Sequence, residues 1–163
     1  MYNKTMKQFI TILIFTSLLI AQYADFVLLK KSQRKLYLYS KGKVIKEYSI
    51  KLGGNTKGAK TQEGDKKTPE GLYYLDYKNI KSRFYRSIHI SYPNQQDIEN
   101  AKKLGLKPGG AIMIHGQVPK SSDPMLWFKT VGNWTAGCIA LSNSDMDEIW
   151  KLIKVPTPIK IEP

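Results

Sequence analysis

A chain of 163 residues is one domain's worth of sequence, enough for one sizeable core. Lys and Arg outnumber Asp and Glu by 26 to 13, and the formal charge of +13 favours polyanionic surroundings without naming them. With one cysteine and two histidines the chain has no intramolecular disulfide, and any soft-metal centre would have to use all three side chains.

The first stretch reads as an export signal. Lys4 and Lys7 precede an apolar run over residues 9–20, the charged and apolar regions of a signal peptide in their usual order. That run is shorter than the roughly 20 residues a spanning helix needs. Residues 1–24 are therefore expected to be a signal peptide cut near Ala21 to Ala24, with an uncleaved N-terminal anchor as the alternative. Export to the periplasm or cell envelope is expected either way, with membrane contact only if the segment stays attached.

From Asp25 the pattern turns to strands. Residues 26–30, 35–40 and 44–52 alternate β-branched, aromatic and polar side chains, as half-buried strands do. In Leu36-Tyr37-Leu38-Tyr39 the leucines share one face and the tyrosines the other. Residues 53–70 are rich in Gly, Lys and Thr and read as a surface loop. Thr68-Pro69-Glu70-Gly71 ends that loop and leads into a strand over 72–76, with Pro69 biasing Thr68 to an extended conformation. Residues 87–92 alternate again, so Ile88, Ile90 and Tyr92 face one way and His89 the other. Asn94 opens a helix carrying Ile98, Ala101 and Leu104, with Gly105 at its C-terminal end. A short apolar run, 111–114, predicts a buried strand with His115 at its end. Residues 117–133, with two prolines, Trp127 and Phe128, exceed a simple turn and read as a lid or cleft wall, or as a packed excursion. Ile139-Ala140-Leu141 precedes a helix capped by Ser142 or Asn143, whose stripe Met146, Ile149, Trp150 and Ile153 is core. A turn and a last strand cover 155–161. The fold class is mainly β with short helices (α+β), with no second domain and no repeat.

The chemistry concentrates around Trp134-Thr135-Ala136-Gly137-Cys138-Ile139, which holds the only cysteine, and Ile114-His115-Gly116 upstream. A thiol is a strong nucleophile only as thiolate, and an imidazole can take its proton. Gly137 permits a tight backbone turn beside the sulfur and leaves amides to face an oxyanion. Read from the residues alone, Cys138 could equally be a small buried hydrophobe.

His-Gly, about twenty residues, then Ser/Thr-x-Gly-Cys-Ile and an Asn-led helix together resemble the L,D-transpeptidase (YkuD-type) catalytic domain of bacterial cell-wall enzymes. Thr68-Pro69-Glu70-Gly71, Ile90-Ser91-Tyr92-Pro93-Asn94 and the run from Gly109 to Gly116 carry the same resemblance, which spans residues 25–163. It departs at Ala136 and Ala140, where many members have His and Arg, leaving His115 as the histidine at a motif position.

The resemblance implies a β-sandwich-like, β-rich catalytic fold. It further implies Cys138 as nucleophile, His115 as base with a main-chain carbonyl near Gly116 as its acceptor, and amides at Gly137 and Cys138 as the oxyanion hole. Thr135, Trp134 and His89 are candidate substrate contacts, although a packed, hydrogen-bonded role suits His89 as well. The implied substrate is a peptidoglycan stem peptide, with a lipoprotein or other wall-attached protein as a further partner. No cofactor or metal is expected. Hydrolysis of wall peptides by the same cysteine, and silent wall binding, are the alternatives. A Cys138–His115–His89 zinc site fits no zinc spacing, and nucleic-acid binding has only the charge in its favour.

Overall fold

The structure is a computed structural model that describes residues 22–118 and 132–163. The N-terminal apolar run and residues 119–131 of the expected cleft wall lie outside the described residues. Among the described residues no helix is long and apolar enough to cross a membrane.

Eight strands form one sheet: β1 (Phe26–Lys30), β2 (Lys35–Ser40), β3 (Lys43–Ser49), β4 (Gly71–Ser82), β5 (Tyr85–Ile90), β6 (Met113–His115), β7 (Ile139–Ala140) and β8 (Thr157–Glu162). Two helices, α1 (Gln95–Lys103) and α2 (Asn143–Leu152), complete the described elements. The first three strands follow from local pattern. Val27, Leu29, Leu36 and Leu38 are fully buried while their neighbours are half exposed. Lys41 and Gly42, with φ of 51° and 74°, make the tight two-residue turn between β2 and β3 that matches strand twist.

The order across the sheet is β3-β2-β1-β8-β4-β5-β6-β7. The last strand is central: β8 runs parallel to β1 and antiparallel to β4, so Ile159 lies between Val27 and Tyr73. The sheet curls until its two ends meet. Just beyond β3, Lys51 and Ala140 of β7 exchange both backbone hydrogen bonds at 2.8 Å. The seam continues as Gly54 N–H donates to Thr135 O and Thr135 N–H to Leu52 O. Asn133 Oδ1 accepts the Leu52 N–H at 3.0 Å. Met146 and Ile149 of α2 and Ile153 at its C-cap pack into the core at 0 % exposure, with Trp150 partly buried against it.

One expectation needed extending. The strand expected at 72–76 runs twelve residues to Ser82 and forms a long hairpin with β5. Its second half carries Lys78, Asn79 and Lys81 and exposes Tyr77 and Ile80, so apolar alternation did not mark it. The helix starts came out as read: Asn94 caps α1, its backbone N–H donating in return to Asp97, and Ser142, one of the two candidates, caps α2.

The loop 53–70 is clamped by a buried lysine. Lys31, 1 % exposed, donates through Nζ to Glu70 Oε1 at 2.7 Å, Gly58 O at 2.7 Å and Thr68 O at 3.2 Å. A charge held this way is favourable only because each of its donors finds a partner. Lys31→Met keeps the apolar stem and removes the charge, leaving two carbonyls and a carboxylate unpaired. Glu70 retains some water access, so the expected loss is about 3 kcal/mol, at the low end for a broken buried pair. Denaturant unfolding of the two proteins measures it, and a change well under 1 kcal/mol would contradict the clamp.

Candidate active site

The Cys138 segment is gripped from three directions. The 51–54 segment pairs with it along the seam, β6 pairs with it on the other side, and the 66–68 backbone packs beneath it. Gly137 has φ of 126°, and a Cβ there would overlap the Lys67 carbonyl. A Cβ on Gly53 would overlap the Lys66 carbonyl and reach 3.0 Å from the Gly137 Cα. Glycine is required at both positions because three stretches of backbone meet there. Thr68 Oγ1 donates to Gly137 O at 2.9 Å. The Thr-Pro-Glu-Gly segment, a plain strand-entry turn when read from its residues, therefore lies against the Cys138 segment.

β6 and β7 are parallel, with Ile114 opposite Ile139 and His115 opposite Ala140. Ile114 and Ile139 point into the core at 0 % exposure. By alternation His115 and Met113 share the other face with Ala140 and, one register step back, Cys138. Ser87 and His89 of β5 pair with His115 and Met113, which puts His89 on this same face, across Met113 from Cys138. The sheet thus brings Cys138, His115 and His89 to one surface.

His115 is 2 % exposed, and its Nδ1 lies 2.7 Å from Gly116 O. A carbonyl only accepts, so Nδ1 carries the proton and Nε2 presents a lone pair. Gly116 is itself confined, since a Cβ would come within 2.5 Å of Asn143 Oδ1. That amide oxygen already accepts the Gln117 N–H at 2.7 Å. The imidazole is enclosed by aromatics: Phe84 stacks on it at 4.8 Å between centroids, and Trp134 meets it edge-on at 5.6 Å. Phe84 sits at the tip of the β4–β5 hairpin, and Tyr85 and Arg86 hold that tip to Asp147 of α2. Sequence reading passed over Phe84 because the strand leading to it carried no clear alternation. The Trp134 Nε1 atom is buried with no hydrogen-bond partner among the described residues.

Burial sets the resting charge state. It pushes the His115 imidazole below its ordinary value, and the Gly116 carbonyl opposes that only in part. Burial likewise pushes the Cys138 thiol up, against smaller pulls from the Met113 N–H and the charge of Lys60. Both shifts favour the uncharged forms, a thiol at Cys138 and an imidazole at His115. The thiol is directed at Ala111 O, 3.6 Å away, and no hydrogen bond joins it to His115 among the described residues. Such bonds commonly tighten only when substrate fills the site.

The remaining candidates separate by geometry. Thr135 Oγ1 accepts the Gly137 N–H at 3.2 Å and donates to Cys138 O at 2.7 Å, which makes it a clamp on the turn. The Gly137 amide is thereby committed, so the expected pair of free amides narrows to the Cys138 N–H. His89 bonds through Nδ1 to Asp76 Oδ1 at 2.8 Å and stacks on Tyr77 at 4.6 Å. Among the described residues no three His, Cys, Asp or Glu side chains gather as metal ligands would.

The neutral resting pair fixes how the thiol responds to pH. Iodoacetamide alkylation of Cys138 should be slow at pH 7 and rise through a midpoint above that of a free cysteine thiol. A preformed thiolate–imidazolium pair would instead give fast alkylation that is level down to about pH 5. Stopped aliquots analysed by intact mass across pH separate the two.

A family model of the L,D-transpeptidase catalytic domain (YkuD) matches residues 24–161. YafK of Escherichia coli K12, named as a candidate L,D-transpeptidase, is 30% identical over 129 residues, which cover 76% of this chain and 44% of that protein. Pgp2 of Campylobacter jejuni, a helical cell shape determining protein, matches in structure with a TM-score of 0.64 at 28% identity, covering 86% of this chain and 48% of that one. Bd1075 of Bdellovibrio bacteriovorus matches at a TM-score of 0.56 and 26% identity, covering 86% and 51%. An L,D-transpeptidase from Mycobacterium smegmatis, 13% identical with a TM-score of 0.53, shares the fold. The chain spans about half the length of these relatives. With the domain model running nearly end to end over the described fold, the chain belongs to the L,D-transpeptidase catalytic domain family.

Proposed function

We propose that the protein is an exported cysteine acyltransferase acting on peptidoglycan stem peptides. The observation that carries this is the His115 tautomer. With Nδ1–H committed to Gly116 O, Nε2 is a base on the face that Cys138 shares. The thiol passes its proton to Nε2 as sulfur adds to the carbonyl carbon of the third-position diamino acid. The Cys138 N–H stabilises the resulting oxyanion. Collapse breaks the C–N bond to the terminal D-alanine, and the imidazolium returns the proton to the departing amine. An acceptor amine then attacks the thioester, its proton leaves through His115, and the new amide and the thiol are released. Water in place of the amine gives hydrolysis by the same steps.

His89 serves here as a wall of the cleft, oriented by Asp76, with Thr135 and Trp134 completing the surroundings of the reacting pair. The family membership and the likeness to a cell shape determining protein support a wall substrate. The apolar N-terminal run supports export, as a cleaved signal or as an anchor, with residues 25–163 as the catalytic domain.

Purified stem peptides incubated with the protein and followed by mass spectrometry test the reading. Loss of D-alanine with a new amide bond identifies transpeptidation, and loss with no acceptor identifies hydrolysis. Cys138→Ala should show neither. His115→Ala should lose about 10²–10⁴-fold, the usual worth of a general base, and His89→Ala far less. A dead His89→Ala beside a near-parental His115→Ala would overturn the assignment of the base.

A further inference from the structure

The hydroxyl of Thr68 is spent on one atom, and that atom belongs to the peptide that matters most for the chemistry above. Thr68 is 1 % exposed and donates to the carbonyl of Gly137, 69 residues away, at 2.9 Å. That carbonyl belongs to the same peptide unit as the Cys138 N–H. The unit is trans, since the cis bonds among the described residues are Tyr92–Pro93 and Val155–Pro156. In a trans peptide the C=O and N–H point in opposite directions. A hydroxyl that pins the carbonyl therefore aims the N–H the other way, and by polarising the amide it strengthens that N–H as a donor.

The neighbouring peptides leave no substitute. The Gly137 N–H is taken by Thr135 Oγ1, and the Cys138 carbonyl accepts from the same hydroxyl. Thr68 in turn cannot drift. Its own carbonyl accepts Lys31 Nζ at 3.2 Å, and Pro69 after it holds it extended. Just upstream, Asp65 gathers the N–H groups of Thr61, Gln62 and Lys67 and the ammonium of Lys60. The contact with Gly137 is thus made by a braced segment.

We infer that Thr68 is a positioning residue for acyl transfer: it orients the Gly137–Cys138 peptide so that the Cys138 N–H meets the developing oxyanion. This rests on the acyl-transfer reading of the site. It predicts an effect on reactions that pass through a tetrahedral oxyanion and none on reactions of the same sulfur that do not.

Two reagents divide along that line. A carbapenem is opened when the thiolate adds to its lactam carbonyl, an oxyanion forms, and the ring C–N bond breaks with the nitrogen taking a proton. Iodoacetamide is displaced at a saturated carbon, releasing iodide, with no oxyanion. Both rates are read by intact mass on the full chain. Thr68→Val, which keeps the shape and removes the hydroxyl, should slow carbapenem acylation about 10- to 100-fold, short of the roughly 10²–10³-fold loss from deleting an oxyanion donor outright. Its alkylation rate should stay within about twofold of the parent, with the pH midpoint unmoved, since no oxyanion donor acts there. Thr68→Ser should restore acylation, and Thr68→Ala should repeat the loss seen with valine. The inference is overturned if Thr68→Val acylates at the parental rate, if acylation and alkylation fall together, if serine fails to rescue, or if neither the valine nor the alanine variant folds. A parental protein that alkylates at Cys138 but is never acylated would defeat the acyl-transfer reading itself, and this inference with it.

Discussion

The paired hydrogen bonds between Lys51 and Ala140 are the constraint on which the rest of the molecule depends. An eight-stranded sheet with free ends would leave β7, only two residues long, as an edge with little to hold it. Closing the curl there gives Ala140 a neighbour on each side, β6 on one and the 51–54 segment on the other. The turn that precedes it, Thr135 to Cys138, is then fixed between two paired backbones and the 66–68 segment below. That closure sets the register of β7 against β6, and the register puts Cys138 and His115 on one face. The Cys138 thiol is thus positioned by backbone geometry and does not depend on the packing of its own small side chain.

The same enclosure governs the electrostatics. Moving an imidazole and a thiol out of water disfavours both charged forms, so His115 titrates lower and Cys138 higher than they would in solvent. On the proposed mechanism the site rests as a neutral pair whose proton moves only during reaction. In that mechanism the base is already free of its proton and held in one tautomer by Gly116 O. With alanine at 136, where many family members carry histidine, that base has no second imidazole in the motif to share its work. The aromatic enclosure of Phe84 and Trp134 keeps His115 dry and in one orientation.

What could be read from the sequence follows how local each cause is. β1 and β2 were legible because every second side chain is buried, and the caps at Asn94 and Ser142 because capping is a matter of three or four residues. His115 and Cys138 were legible as chemistry, and their motif spacing tied them to a family. The central place of β8 was not legible, since pairing with β1 bridges more than a hundred residues and leaves no periodic trace. The second half of β4 was hidden by Lys78, Asn79 and Lys81, and Phe84 was hidden with it. The commitment of the Gly137 N–H to Thr135 was invisible for a different reason: a Thr two residues before a Gly suggests a turn, but not which amide it occupies. Thr68 looked like the entry to a strand because its partner is far along the chain.

The central claim is that Cys138 carries the acyl group as a thioester. Intact-mass spectrometry of the protein, quenched in acid within its first turnovers on a purified stem tetrapeptide, tests this most directly. The account predicts an adduct equal to the peptide less its terminal alanine, located at Cys138 by peptide mapping and removed by hydroxylamine. Turnover of the peptide with the adduct on another residue, or with Cys138 unmodified at every time point, would contradict it.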